Sequence, residues 1–222
     1  MRFISLILLA LLLSACASSP EKAAKQKKVD AQAVTDTTAA SSILPAGPAT
    51  PNPYLADIPS VNRATQQTFN DAVTAMQQED WNQAERLLLR LTKDQPKLSG
   101  AHLNLGLVYR ALSKQAQAEE SFQKAIASNS KNLDAYNQLA ILKREAGDFA
   151  EAESLYQQAL AVWAYHPESH KNIAILYDLY LGKPQQALAH YQAYAELTGD
   201  SDKQLPGWIA DLERRVAAQG GN

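Results

Sequence analysis

The sequence predicts an all-α fold, a solenoid of four helix pairs closed by one C-terminal helix. Three observations carry that expectation. Small and apolar residues recur with a period of 34: Ala72, Gly106, Ala140 and Ala174 form one column, with Leu105, Leu139 and Ile173 one position earlier. Three further columns run Ala84, Ala118, Ala152, Ala187; Leu88, Phe122, Tyr156, Tyr191; and Leu91, Ala125, Ala159, Tyr194, all sharing one slip to 35 in the last step. Within each period the apolar residues form two stripes at helical spacing, as in Leu103, Leu105, Gly106, Tyr109 and then Ala118, Phe122, Ala125, Ile126. Finally, six of the ten prolines (20, 45, 48, 51, 53 and 59) precede the repeats, so composition divides the chain near residue 60.

Residues 1–15 read as a secretory signal: Arg2, an apolar run from Phe3 to Leu13, then Ser14-Ala15 ahead of the single cysteine, Cys16. The run is too short to span a bilayer, which needs about 20 apolar residues. Leu13-Ser14-Ala15-Cys16 resembles the bacterial lipoprotein lipobox. That resemblance implies cleavage before Cys16, covalent lipid on its thiol and a membrane-tethered protein, with no other cofactor expected. Ala17 stands where, in that family, Asp commonly retains a protein in the inner membrane, which favours the outer membrane, facing the periplasm, over the inner membrane. Residues 16–59 form the tether, rich in Pro, Ala, Ser and Thr and too poor in apolar surface to order itself. Lys22, Lys25, Lys27 and Lys28 lie close to the lipid, either as contacts to anionic headgroups or as a solvated cluster.

Residues 60–201 hold the units, 65–98, 99–132, 133–166 and 167–201. Asp80 with Gln83, and Asp148 with Glu151, predict capping boxes that start second helices. Gly147 and Gly182 mark turns, and the extra residue of the last unit, between Tyr177 and Gly182, predicts a first helix one residue longer. Small residues at 72, 106, 140 and 174 allow close helix approach, with the large residue of the facing helix filling the gap. Residues 202–222 form the cap, a helix beginning at Pro206 with Trp208, Ile209, Leu212 and Val216 on its apolar face, because a solenoid otherwise exposes its last unit. Partner contact is the alternative role for Trp208.

These columns resemble the tetratricopeptide repeat, most closely in the second unit with Leu105-Gly106, Tyr109, Ala118, Phe122 and Ala125. Asp71 and Lys143 depart from its pattern, and only the first unit keeps a terminal proline, Pro96. The resemblance implies a right-handed superhelix whose first helices line a concave groove for a peptide or helix of another protein. The groove residues it implies are Phe69, Val73 and Met76; Leu103, Leu107 and Arg110; Asn137, Ile141 and Arg144; and Lys171, Ile175 and Asp178. Phe69 and Val73 stand where chaperone-binding members carry Lys and Asn, which excludes their carboxylate clamp. An apolar row with Arg110, Arg144 and Lys171 suits an amphipathic or acidic segment. The alternative is that Val73, Leu107, Ile141 and Ile175 only pack between units.

Little points to catalysis. A net charge of −2 offers no positive field for nucleic acid, and one cysteine excludes an intramolecular disulfide. His102 and His170 fall in a packing column, and His190 reads as solvated. His166 and His170 have a metal-compatible spacing, but Pro167 puts His166 before the helix. Glu119, Glu120, Glu151 and Glu153 read as solvated helix faces. The expected function is therefore a non-enzymatic, membrane-anchored scaffold for envelope protein partners, with pilus assembly or the docking of proteases or cell-wall hydrolases as possible settings. A periplasmic holdase chaperone is the alternative.

Overall fold

A computed structural model describes residues 42–199 and 202–220, all within one compact unit, Ala39–Asn222. The signal segment, Cys16 and the first part of the tether lie outside the described residues. Ten helices follow one another without a strand among the described residues: α1 (Pro53–Ala56), α2 (Arg63–Gln77), α3 (Trp81–Asp94), α4 (Ser99–Ala111), α5 (Gln115–Ser128), α6 (Leu133–Glu145), α7 (Phe149–Val162), α8 (Pro167–Leu179), α9 (Pro184–Thr198) and α10 (Leu205–Gly220). From α2 to α9 they pack as four consecutive pairs, each second helix also touching the next pair, and α10 packs on α9. This is the predicted solenoid with its cap.

The repeat columns are the core. Ala72, Ala84, Leu88, Ala118, Phe122, Ala125, Ala140, Ala152, Tyr156, Ala159, Ala174 and Ala187 are all fully buried. Gly106 shows why small residues recur: a Cβ there would lie 2.4 Å from Cε1 of Phe122, inside any tolerable contact. The aromatic ring of α5 occupies the space that a side chain on α4 would need.

Turns within the pairs follow the same period. Glu79, Ser113 and Gly147 have positive φ, 57°, 58° and 84°, and Gly182 follows at 60°. Only the two glycines announced these left-handed positions in the sequence, since L-residues with a Cβ pay strain there. The fourth turn also corrects an expectation. α8 ends at Leu179, in register with α4 and α6, so its helix is no longer than theirs. The extra residue enters the turn instead, where Leu181 N–H bonds Leu176 O at 3.1 Å and Lys183 N–H bonds Tyr177 O at 2.9 Å. Pro184, with no N–H, then starts α9.

Asp80 and Asp148 accept from the backbone N–H groups of Gln83 (2.9 Å) and Glu151 (3.2 Å), as expected of N-caps. The reciprocal half of each capping box is absent, because Asp80 N–H donates to Ala75 O and Asp148 N–H to Lys143 O. The preceding helix has already satisfied those donors. α10 begins at Leu205, one residue before the expected Pro206, and buries Leu205 and Leu212 fully, with Trp208, Ile209 and Val216 half-buried.

A second ladder runs between pairs. Glu85, Glu119 and Glu153, spaced by 34, each bind a lysine of the following unit: Lys114 at 2.8 Å, Lys143 at 2.7 Å and Lys183 at 3.0 Å. Glu119 and Glu153 are therefore clamps between units, not solvated faces. Glu151 joins them, 3.1 Å from the same Lys143. Glu120 keeps the expected exposed setting, in an i,i+4 pair with Lys124, and Glu151 stays exposed beside its lysine.

The last part of the tether differs from expectation. Residues 42–59 lie against the loops between units instead of forming a free spacer. Trp163 Nε1 donates to Thr50 O at 2.9 Å, Tyr165 Oη to Pro45 O at 3.4 Å, and Lys131 pairs with Asp57 at 2.8 Å. Four prolines in 42–53 already restrict the unfolded chain, so few donors suffice to hold the segment.

Candidate functional site

The first helices of the pairs, α2, α4, α6 and α8, present one row of side chains each. Val73, Leu107, Ile141 and Ile175 are half-buried in all four units, as are Phe69, Met76 and Leu103. Except for Val73, these residues pack against the core while staying partly exposed. Both sequence-based alternatives for this row, packing and groove lining, fit this half-burial.

The polar members of the row have varied surroundings. Asn137 is buried, not groove-exposed, and its Oδ1 accepts from Asn172 Nδ2 at 3.1 Å, linking α6 to α8. Arg110 donates to Gln138 Oε1 at 2.7 Å and Glu145 Oε1 at 2.9 Å, so it joins α4 to α6 and is not a free charge. At the far end the cap supplies the partners. Lys171 binds Asp202 at 2.7 Å beneath the rings of Tyr194 and Trp208, and Asp178 binds Arg215 at 2.6 Å. These five contacts were invisible in the sequence because each joins residues 28 to 37 positions apart.

Arg144 is the exception. Its Nη1 is buried without a hydrogen-bond acceptor, and among the described residues no carboxylate pairs with it. Its guanidinium lies 5.9 Å from the centre of the Tyr180 ring. The neighbouring Tyr156 hydroxyl is likewise buried and unpartnered, and burial pushes its pKa up to about 12 against the opposing charge of Arg144. An unmet guanidinium donor one helical turn beyond Ile141 suits a carboxylate, since an unsatisfied buried donor costs about 1–3 kcal/mol.

The histidines are structural. His102 Nε2 donates to Pro96 O at 2.9 Å and His170 Nε2 to Ala164 O at 2.8 Å, the same bond two units apart in one column. A carbonyl only accepts, so both rings carry the proton on Nε2. His170 Nδ1 then accepts from His190 Nδ1 at 2.9 Å. His190 is accordingly half-buried and bonded, not solvated as expected, and burial, reinforced by His170, lowers its pKa to about 3. His166 stands at the N-cap position of α8 without a side-chain bond to the helix backbone, its Nδ1 2.8 Å from Ser169 Oγ. No group of three or more metal-ligating side chains converges among the described residues.

Comparison with known proteins agrees with this geometry. Family models described as tetratricopeptide repeat match residues 70–132 and 132–198, together more than half the chain. No curated protein matches the sequence. Among solved structures, one from a functional characterisation of Pseudomonas aeruginosa pilF superposes with a TM-score of 0.62 at 22% identity, covering 72% of this chain and 77% of that one. A MamA protein gives 0.55 at 17% identity over 69% and 88% of the two chains. A thermophilic TPR protein of Thermus thermophilus gives 0.56 at 24% identity over 69% and 80%. At these identities the likeness is one of fold. The two family matches, laid over the helix pairs and buried columns seen here, show that the chain belongs to the tetratricopeptide-repeat family, whose members are generally protein-interaction scaffolds.

Proposed function

We propose that this protein is a membrane-tethered, non-catalytic adaptor that holds envelope proteins through the concave row of its first helices. The observation that carries the reading is Arg144 on α6, whose guanidinium has no carboxylate partner among the described residues, in a row of half-buried apolar side chains on the first helices. That arrangement fits an amphipathic segment bearing an acidic residue, with the apolar row giving contact area and Arg144 fixing register. Arg110, Lys171 and Asp178 hold the groove's shape from within the protein, and Asn137 does the same at its centre.

The anchor part of the proposal rests on the lipobox residues ending in Cys16, and no described helix is long and apolar enough to cross a membrane. Acylation at Cys16, by two or more chains, supplies a stable hold. Localisation to the periplasmic face of the outer membrane follows from the residue after it, Ala17.

A photocrosslinker in place of Ile141, used in cells, tests the groove. Capture of one or a few defined proteins, reduced at least tenfold by Arg144→Glu in a protein of unchanged helix content, is the expected result. Capture that ignores the charge reversal overturns it, and a broad set of unfolded clients favours a chaperone. Fractionation of Cys16→Ser tests the anchor separately: an unprocessed, unacylated precursor is expected, and acylated mature protein would refute lipidation at this residue.

A further inference from the structure

The segment ahead of the repeats is a ligand as well as a connection. It meets the solenoid at the edge where one unit passes to the next, away from the core columns. On that edge the loops repeat a pattern of side-chain donors with the period of the fold: Lys97, Lys131 and Tyr165 form one column. All three face the segment. Lys97 lines a cavity of about 460 Å³ together with Tyr54, Asp57 and Ile58, Lys131 binds the Asp57 carboxylate, and Tyr165 donates to Pro45 O. Trp163 sets its ring edge-on to that of Tyr165, with 6.2 Å between centres, and donates to Thr50 O. Tyr54 closes the other end, its hydroxyl only 3.4 Å from where a Cβ on Gly100 would sit.

The chemistry of the two sides is complementary. Prolines at 45, 48, 51 and 53 have no N–H, so the stretch ahead of the short α1 presents carbonyl acceptors, Pro45 O and Thr50 O among them, to donors on the loops. Indole N–H and ammonium groups donate and do not accept, and the Tyr165 hydroxyl is used here as a donor. Such a surface recognises backbone carbonyls of a proline-rich chain and one acidic side chain, with little dependence on the residues between. It meets the row of the first helices at Phe69, which lines the same cavity as Tyr54 and Lys97, and does not include Arg144.

We propose that this edge is a binding site for proline-rich segments ending in an acidic residue, that residues 42–57 occupy it in cis, and that a partner's segment of the same chemistry enters by displacing them. Displacement frees the strap to lengthen the connection between the repeats and whatever holds the chain's amino end. Occupancy of the edge and reach of the domain are then coupled. The proposal stands whether or not the concave groove binds an acidic helix.

The test uses the full chain and a fluorescein-labelled peptide, SILPAGPATPNPYLAD, which is residues 42–57. In one variant Pro45, Pro48, Pro51 and Pro53 become Ser, loosening the strap at constant length, with circular dichroism and melting confirming the repeats. The peptide is expected to bind this variant at least tenfold more tightly than the unchanged chain. Adding Trp163→Phe or Lys131→Glu to the loosened chain should weaken binding several-fold, whereas Arg144→Glu should not change it. Equal affinity for loosened and unchanged chains would overturn occupancy in cis, as would a dimer of the unchanged chain that the peptide dissociates. Absence of binding to the loosened chain, or binding indifferent to Trp163→Phe and matched by a scrambled peptide, would overturn the site itself.

Discussion

The second and fourth units share the same packing columns, yet one is interior and the other terminal, and their differences show what holds a solenoid together. In the second unit Arg110 reaches forward to Gln138 and Glu145 on the first helix of the next unit. In the fourth, Lys171 and Asp178 reach forward in the same way to Asp202 and Arg215, which belong to the cap and its approach. α10 thus stands in for the first helix of an absent fifth unit, and the Lys and Asp that read as partner contacts are end-capping contacts. Stability in such an array is a sum of units and of interfaces between neighbours, so an end must be closed as carefully as an interior interface.

The sharpest way to break this comparison is to remove the cap. Truncation before Leu205 exposes the fourth unit and loses two fully buried leucines, Leu205 and Leu212, together worth about 3–6 kcal/mol at about 1.5–3 each. Chemical denaturation should show that loss, with a midpoint shift concentrated in the fourth unit's amide exchange. A melting curve unchanged by truncation would mean that α10 does not cap.

An interior change should cost nearly as much while leaving the end intact. Phe122→Ala empties the gap beside Gly106 and is expected to destabilise by about 3–5 kcal/mol. Gly106→Ala should also destabilise, by about 1–3 kcal/mol, because its Cβ collides with the ring despite the better helix propensity of alanine. In the double mutant the two effects should fall short of their sum, since each removes the cause of the other. Strict additivity, measured by urea denaturation of all four proteins, would contradict the packing described for α4 and α5.

The histidines of the shared column sharpen the contrast at smaller cost. His102 leaves Nδ1 buried and unpartnered, whereas His170 has His190 against it. Burial lowers the pKa of both His102 and His170, and that of His190 to about 3. A lowered folded pKa means the unfolded chain binds the proton first, so stability is present in full above about pH 6.5 and falls as pH drops toward the folded values. For His190 the slope approaches about 1.4 kcal/mol per pH unit, and His190→Gln should flatten the melting temperature between pH 6.5 and 4.5. An unchanged slope would remove His190 as its cause.

The smallest effect is in the turns. Ser113 has φ 58° where the fourth unit has Gly182 at 60°. Ser113→Gly should stabilise by about 0.5–1 kcal/mol through relief of left-handed strain, while Gly182→Ser should destabilise by a similar amount. If both changes prove neutral by denaturant midpoint, the turn geometry differs from that seen here.

Much of this architecture was legible in the residues. A period of 34 with buried columns is written in side-chain size and polarity, because every unit solves the same packing problem against its neighbour. The candidate groove was read as a row, and its apolar members are half-buried on the first helices. Its polar members were not. Whether Arg110 or Arg144 is free depends on a glutamate or glutamine one unit away, and Asn137 faces inward because Asn172 meets it.

Local chemistry alone therefore determined the helix pairs, their small-residue contacts, the N-caps at Asp80 and Asp148 and the terminal helix. Their physical basis is short-range: helical periodicity, the volume of one side chain against the next, and a carboxylate three residues before an N–H. Tertiary structure alone decided where the extra residue of the fourth unit went, which charges paired across units, how His190 was buried, and that residues 42–59 lie along the loops. Those outcomes depend on donors and acceptors brought together from distant positions, and composition, which marks that segment as proline-rich, says nothing of the indole and phenol waiting more than a hundred residues away.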